Sequence, residues 1–219
     1  MEHLSVPHGH HLPVSRLEAF SDGVFAIVIT LLILDLQVPE SPDRLISQLA
    51  AEWPAFLGYV VSFAFIGGSW IAHTVLTHLL RVTDGVVVGL NLLQLLSVSL
   101  LPYSTSLLTQ HLTGSSERIA VVVFGLNLTL GTLISSVLVS YVRRMDELKS
   151  NVDPKKAAWL ERQRWRTTAM FALSTAMSAF APKVAVAFYL LVSLLLIGLP
   201  VLRLSKYVWP QRRKGGSVG

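Results

Sequence analysis

The amino-acid sequence predicts an all-α integral membrane protein with six transmembrane helices. Of the 219 residues, 52% are hydrophobic and only 14% are charged, whereas soluble globular domains usually carry about 25% charged residues. The mean hydropathy of +0.57 points to the same class. Apolar residues also recur in six stretches that are long enough to cross a bilayer as helices. These observations exclude a soluble domain of this size and a disordered chain.

The six predicted spans follow one another along the chain. They cover residues 17–37, 53–78, 86–108, 118–141, 167–182 and 184–203. Each is apolar on all faces, as expected of a membrane helix, and lacks the alternation of a membrane β-strand. The first span is interpreted as a helix and not as a secretory signal, because residues 1–15 contain no lysine or arginine.

The distribution of basic residues predicts the orientation of the spans. With six spans, both termini lie on one side, and 15 of the 18 lysine and arginine residues fall on that side. Basic loops stay in the cytoplasm, so we expect a multi-pass protein of the cell (plasma) membrane with both termini cytoplasmic. This asymmetry explains the net charge of +5, and we expect no nucleic-acid partner.

Polar residues divide the chain into two unequal halves. Between a polar tail at 1–14 and a basic tail at 206–219, the segment 15–108 holds spans 1–3 and the segment 109–205 holds spans 4–6. The polar groups within spans belong mainly to the first half: Asp22, Asp35, His73, Asn91 and Gln94. Ionisable groups are costly in a bilayer and indicate function, so the second half is the predicted scaffold. Between spans 4 and 5, Asp153-Pro154 predicts the start of a short surface helix.

One face of span 1 carries a regular stripe that consists of Phe20, Gly23, Ile27, Thr30 and Leu34. Spacings of three and four residues are typical of helices that pack around a common axis, although an ordinary helix contact has the same spacing. Around an axis, Ile27 and Leu34 would form two hydrophobic constrictions with a ring of Thr30 hydroxyls between them. Hydrophobic constrictions gate pores by dewetting, and rings of oxygen dipoles can replace the hydration shell of an ion.

Asp22 lies inside the first span, where a carboxylate needs a partner, water or a proton. Arg16 of the same or a neighbouring chain is one candidate partner. His73 and Asn91, on the next two spans, are candidate hydrogen-bond donors. These groups could serve a function or could only fasten the helices together, and the residues alone leave both interpretations open.

Acidic residues cluster around the outer end of span 1: Asp35, Glu40, Asp43 and Glu52, with the single basic residue Arg44. An acidic mouth raises the local concentration of cations, while a simple solvated loop would have the same composition.

The sequence contains no nucleotide-binding loop, hydrolase elbow, zinc-protease motif or Thr-Val-Gly-Tyr-Gly filter. Cysteine is absent, which excludes thiolate metal sites. We expect no enzyme activity and no cofactor.

The start of span 1 resembles a known signature. Residues 16–23 match the pattern R-x-x-x-F-S-D-G through Arg16, Phe20, Ser21, Asp22 and Gly23. In this pattern the chain resembles the lysosomal-type transmembrane potassium channels and their bacterial homologues. Two more motifs follow in order on spans 2 and 3. Residues 70–73 resemble W-x-x-H through Trp70 and His73, and Asn91 with residues 102–104 resembles N…P-[FY]-[ST].

The resemblance implies a homotetramer of six-span chains, with span 1 of each chain lining a central pore that selects potassium without a filter loop. It also implies that Ile27 forms the narrow hydrophobic ring, Thr30 a hydroxyl ring that contacts permeating potassium, and Leu34 a second aliphatic ring. Trp70, His73 and Asn91 are implied to form a supporting polar network behind the pore helix.

Three functions therefore follow as hypotheses from the sequence. The first is a potassium-selective, leak-like cation channel gated by the constriction on span 1. The second is a proton-conducting channel or carrier, because Asp22 and His73 could relay protons. The third is a membrane scaffold that transports nothing.

Overall fold

The computed structural model describes residues 13–38, 45–145 and 154–208, with side chains for all of these except 156 and 199–208. The described chain is helical, and a 3-10 turn at Leu32–Asp35 extends the first helix. The helices are α1 (Val14–Leu31), α2 (Leu45–Ala51), α3 (Trp53–Thr77), α4 (Gly85–Ser99), α5 (Leu101–His111), α6 (Glu117–Arg144), α7 (Pro154–Ser178) and α8 (Pro182–Val208).

Several helices begin at residues that favour a helix start. Pro54 and Pro102 lie in the first turns of α3 and α5, while Pro154 and Pro182 open α7 and α8. Proline is tolerated there because the first amides of a helix have no intrahelical acceptor. At α4, the Asp84 side chain accepts a hydrogen bond from the Val87 amide at 2.8 Å and caps the helix.

The helices pack around two apolar clusters, a larger one that includes Phe25 and Val28 of α1 and a smaller one that includes Leu17. α1 contacts α3 and α4, α3 also packs on α5 and α8, and α6 packs on α4, α5 and α7. Aromatic rings fill the centre, where the ring of Phe171 lies 5.5 Å from that of Phe65 in an edge-on arrangement. Because α1 contacts mainly α3 and α4, its own chain covers only one side of it.

Four of the six predicted spans satisfy the length and hydropathy expected of a membrane helix within the described residues: Val14–Asp35, Trp53–Thr77, Gly85–His111 and Glu117–Arg144. Their bounds lie within a few residues of the predicted ones. The sixth is represented by a shorter apolar segment, Pro182–Gly198, of α8. The count of six spans stays a prediction, and the predicted tails lie almost entirely outside the described residues.

The fifth predicted span differs in form from the helix observed. We expected a short surface helix at Asp153-Pro154 and a separate span at 167–182, but α7 runs unbroken from Pro154 to Ser178. Its first half turns Ala157 and Arg164 inward while Arg162 and Arg166 remain exposed. The charged residues on the exposed face lower the mean hydropathy of the first half of α7, although the helix continues through it. The predicted start of span 5 at residue 167 was wrong for this reason.

Span 3 is divided at Leu100, and α6 joins its two parts. Pro102 has no N–H to donate to the carbonyl four residues earlier, so α4 ends and α5 begins at this point. The Asn127 side chain of α6 accepts from Ser97 Oγ at 3.1 Å and donates to Ser104 Oγ at 3.0 Å. The side-chain amide of Asn127, which lies in the predicted scaffold half, thus links α4 to α5.

A second hydrogen bond of α6 reaches the connection that precedes α4. Tyr141 of α6 donates its hydroxyl hydrogen to Asp84 Oδ2 at 2.6 Å. Partial burial opposes the charged form of Asp84, but the hydrogen bonds from Tyr141 and the Val87 and Val86 amides outweigh it and lower the pKa of the carboxyl. A pKa below its unfolded value means that the unfolded chain binds more protons, so this contribution to stability is lost on acidification.

Tyr141→Phe is therefore expected to lower the free energy of unfolding by about 1 kcal/mol at neutral pH. The deficit should shrink progressively as the pH falls below about 3.9, the ordinary pKa of aspartate, and on through the lowered pKa of Asp84. Thermal unfolding of the purified protein across this pH range measures it, with Tyr103→Phe as control because Tyr103 is exposed. A deficit independent of pH would show that Asp84 is not the relevant partner.

Candidate functional site

The two faces of α1 have opposite environments. Ser21, Phe25 and Val28 are buried against α3 and α4. On the opposite side the chain leaves large apolar side chains open: Phe20 is 57% exposed, Ile27 61% and Leu34 74%. A long apolar helix that its own chain covers on one side only is available for contact with lipid or with further copies of the chain.

The exposed face coincides with the stripe derived from spacing. Gly23 and Thr30 lie on it as well, and beyond the neighbouring turns of α1 a Cβ added at Gly23 would meet no atom of the described residues within 4 Å. The Thr30 hydroxyl donates to the Ile27 carbonyl at 2.8 Å. That bond uses the hydroxyl hydrogen and leaves the oxygen lone pairs free to accept from water or to contact a cation.

Behind this face, three buried side chains form a chain of hydrogen bonds, which we call the polar network: Ser21, Asn91 and His73. Asn91 Nδ2 donates to Ser21 Oγ at 3.0 Å, and Asn91 Oδ1 lies 2.8 Å from His73 Nε2. The three side chains are between 0% and 3% exposed. The network therefore ties α1, α3 and α4 together where the three sequence motifs meet.

Within the chain, Asp22 takes a partner that was not among the candidates Arg16, His73 and Asn91. Trp70 Nε1 donates to Asp22 Oδ1 at 2.8 Å, while Arg16 forms no ion pair with Asp22 among the described residues. Arg16 is exposed near the start of α1, so an Arg16–Asp22 contact would need a neighbouring chain. Asp22 and Trp70 also line a groove of about 380 Å³ between α1 and α3.

Sequence reasoning missed several polar contacts around this site. Thr77 donates to Glu18 Oε1 at 3.1 Å, which adds a second carboxylate of α1 to the contacts with α3. Asn127 and Tyr141 were assigned to the scaffold, although both join helices of the two halves. The cost of an unpaired amide inside an apolar span is a signal that could have singled out Asn127.

At the C-terminal end of the first span, Asp35 and Glu52 line a polar cavity of about 320 Å³ together with residues of α5. Asp35 Oδ2 is buried and has no hydrogen-bond partner within the described part of the chain. The other two residues of the predicted acidic mouth, Glu40 and Asp43, lie outside the described residues. No group of three or more metal-ligating side chains occurs in the portion that the structure describes.

Similarity to known proteins identifies the family of this chain. The family described as endosomal/lysosomal potassium channel TMEM175 matches residues 16–102. A potassium channel of Chryseobacterium sp. (strain P1-3) is 32% identical over 181 residues, which cover 82% of this chain and 90% of that relative. The chain belongs to the TMEM175 family. The resemblance inferred from the signature on span 1 is thereby confirmed, and the family description names a channel and not an enzyme.

Other TMEM175 relatives differ in how much of their length this chain spans. A potassium channel of Streptomyces collinus is 41% identical over 137 residues, covering 61% of this chain and 66% of the relative. The rat endosomal/lysosomal proton channel TMEM175 is 41% identical over 128 residues, which represent only 25% of its length. The crystal structure of a lysosomal potassium-selective channel TMEM175 homolog from Chamaesiphon minutus has a TM-score of 0.77 at 27% identity, covering 87% of this chain and 97% of that chain.

The Asp22–Trp70 bond leads to a testable expectation for this TMEM175 chain. Asp22→Ala removes the acceptor of the Trp70 indole, and loss of a hydrogen bond to a charged group costs about 1.5–3 kcal/mol. We expect a lower yield of assembled protein, measured by size-exclusion chromatography with light scattering. Asp22→Asn keeps an oxygen for Trp70 and should restore most of that yield.

Equal losses in the two Asp22 variants would instead show that the negative charge matters, as expected if Arg16 of a neighbouring chain pairs with it. Normal assembly of Asp22→Ala with altered ion selectivity would place Asp22 in the conduction path.

Proposed function

We propose that this chain forms a homotetrameric, potassium-selective, leak-like cation channel whose pore is lined by α1. The observation that carries the proposal is the exposed stripe of α1, because it places Gly23, Thr30 and large apolar side chains on the face that the rest of the chain leaves open, where further copies of α1 can pack. In four copies around an axis, the Phe20, Ile27 and Leu34 side chains of each copy would face those of the others. The bacterial relatives are named potassium channels, which supports the same function.

Assembly around α1 also accounts for the groove beside Asp22. The groove is lined by Asp22 and Trp70 together with apolar residues of α1 and α3. An adjacent copy of α1 would fill it and remove Asp22 from lipid, where an ionised group is costly. Cyclic closure is the usual arrangement of identical chains, and crosslinking in native-like membranes should stop at four chains.

We further propose that all six spans cross the cell membrane with both termini in the cytoplasm. The described chain ends α6 at Arg143 and Arg144 and begins α7 with basic residues, as expected of a cytoplasmic connection. Because the sequence contains no cysteine, single cysteines report orientation directly. A membrane-impermeant thiol reagent should label Ser115→Cys from outside intact cells and Arg81→Cys only after lysis.

Selectivity is assigned to Thr30, the only hydroxyl between Ile27 and Leu34 on the stripe. Four Thr30 oxygens beside an apolar constriction would favour the cation that loses water more easily, which is potassium. Thr30→Val keeps the shape of the side chain and removes the oxygen. The potassium-over-sodium permeability ratio should fall while tetramers still form; unchanged reversal potentials in mixed potassium and sodium would exclude Thr30 from selectivity.

Flux in proteoliposomes tests the proposed activity itself. Purified wild-type protein should dissipate a potassium gradient, and the reversal potential should follow potassium when potassium, sodium and proton gradients are imposed separately. Vesicles without protein give the background. Absence of flux above that background in well-assembled protein would favour the non-transporting scaffold.

A second candidate function is proton conduction. His73 Nδ1 is buried and without a hydrogen-bond partner among the described residues, and His73 belongs to the polar network. The animal relatives are named proton channels, although the rat protein aligns over only a quarter of its length. A reversal potential that follows the proton gradient and shifts in His73→Gln would establish this candidate over potassium conduction.

A further inference from the structure

A cavity that no described residue of α1 lines holds a buried arginine. Arg164 of α7 is only 7% exposed, and within the described residues it forms no ion pair. It lines a cavity of about 200 Å³ that α3, α7 and α8 enclose. An arginine stays charged in proteins, and burying an unpaired charge is strongly unfavourable. The cavity therefore favours a negatively charged occupant.

The other walls of this cavity are mainly apolar. α3 contributes Ile71 and Val75, α7 contributes Trp159 and Met170, and α8 contributes Leu195 and Leu196. Such walls exclude water and suit hydrocarbon. A ligand that satisfies both the guanidinium and these walls needs an anionic group joined to an apolar chain.

The neighbouring bonds place Arg164 near the end of the helix bundle. One turn before it on α7, Glu161 pairs with Arg143 at the end of α6. The next residue after it, Trp165, donates its indole N–H to Ser140 Oγ at 3.0 Å. Three residues of helix correspond to about 4.5 Å, so Arg164 lies just inside the basic end of α6 and α7, the side where anionic lipids concentrate if that side is cytoplasmic.

Close packing of α8 on α3 shapes the floor of the cavity. A Cβ added at Gly68 would lie 2.6 Å from Leu196 Cβ and 3.2 Å from the Leu196 carbonyl carbon. The two helices therefore approach closely at Gly68, and the space remains open above it, beside Arg164. The cavity that the headgroup and the start of an acyl chain would enter is lined jointly by α3, α7 and α8.

We propose that this cavity, the Arg164 site, binds an anionic phospholipid, with its phosphate on the Arg164 guanidinium and its acyl chain against Leu195 and Val75. Guanidinium binds phosphate oxygens in a two-pronged geometry, which a lysine cannot reproduce. No described residue of α1 lines this cavity, so its occupant would affect stability even in a protein that conducts nothing.

Lipid titration of the delipidated, full-length protein tests the proposal. Native mass spectrometry should show stoichiometric binding of phosphatidylglycerol and weaker binding of the zwitterionic phosphatidylcholine. Arg164→Gln should weaken phosphatidylglycerol binding by about tenfold to a hundredfold, as expected for a lost hydrogen-bonded ion contact. Arg166→Gln is the matched control, because Arg166 is an exposed arginine two residues away on the same helix.

A second variant separates the lipid from free phosphate. Leu195→Trp should fill the apolar part of the cavity and reduce phosphatidylglycerol binding while Arg164 is retained. Phosphatidylglycerol should also raise the midpoint of thermal unfolding of the wild type and the Arg166 variant, but not of the Arg164 or Leu195 variants. This readout requires only that each variant unfolds cooperatively.

Three results would overturn the proposal. Equal phosphatidylglycerol binding by wild type and Arg164→Gln would show that the arginine is not the ligand. If inorganic phosphate instead binds as tightly as the lipid and is unaffected by Leu195→Trp, this result would indicate an anion site that holds no acyl chain. Equal affinity for phosphatidylglycerol and phosphatidylcholine, unaffected by either substitution, would mean that lipid binds elsewhere on the protein and not in the Arg164 site.

Discussion

Ile27→Asn is expected to raise the single-channel conductance or the closed-state leak of the proposed channel by at least about tenfold, corresponding to a barrier lower by about 1.4 kcal/mol. The Ile27 side chain is 61% exposed on the stripe of α1, so its own chain leaves most of it uncovered. A ring of four isoleucines would repel water, and four amides at the same place would hold it. The fold of each chain should therefore survive while the constriction becomes wet.

Planar-bilayer or proteoliposome recording of purified tetramers measures this effect. Ile33→Asn is the matched control, because Ile33 is the same residue type, 50% exposed, and lies off the stripe. Both variants add an exposed amide to the same segment, so a general loosening of the helix would affect them equally. Wild-type currents in Ile27→Asn together with enlarged currents in Leu34→Asn would place the gate at Leu34.

Asn91→Leu is expected to cause the largest loss of assembly among single substitutions at the site. The amide binds Ser21 of α1 on one side and His73 of α3 on the other. Its removal leaves the 3% exposed His73 ring without any hydrogen-bond partner in the described chain. An unsatisfied buried polar group costs about 1–3 kcal/mol, and here the loss also releases α1 from the helices that position it.

The thermal midpoint and tetramer fraction of the purified protein report this loss. Gln110→Leu is the control, because Gln110 is exposed and its side-chain bond, to Ser106, stays within its own helix. The double variant Asn91→Leu/His73→Leu removes both partners and should recover part of the stability, since apolar replacement of a whole pair is nearly neutral. Strictly additive losses in this cycle would show that the two residues act independently.

The sequence alone determined the class of the protein, the positions of four long spans within a few residues, and the motifs of its family. Hydropathy and helical periodicity are local properties, so they can be counted along a chain without knowledge of its packing. The stripe through Ile27 and Thr30 also followed from spacing, and the structure leaves the same face of α1 open. Its role in conduction stays a prediction.

Only the tertiary structure decided which polar groups meet. Asp22 binds Trp70 and not Arg16 of its own chain, Asn127 joins the two parts of span 3, and Arg164 faces a cavity between three helices. The residues joined by the first two contacts are separated by 23 to 48 positions in the sequence. Such partners depend on how close helices approach and how they rotate about their axes, and both are fixed by the combined packing of many side chains, which no local pattern specifies.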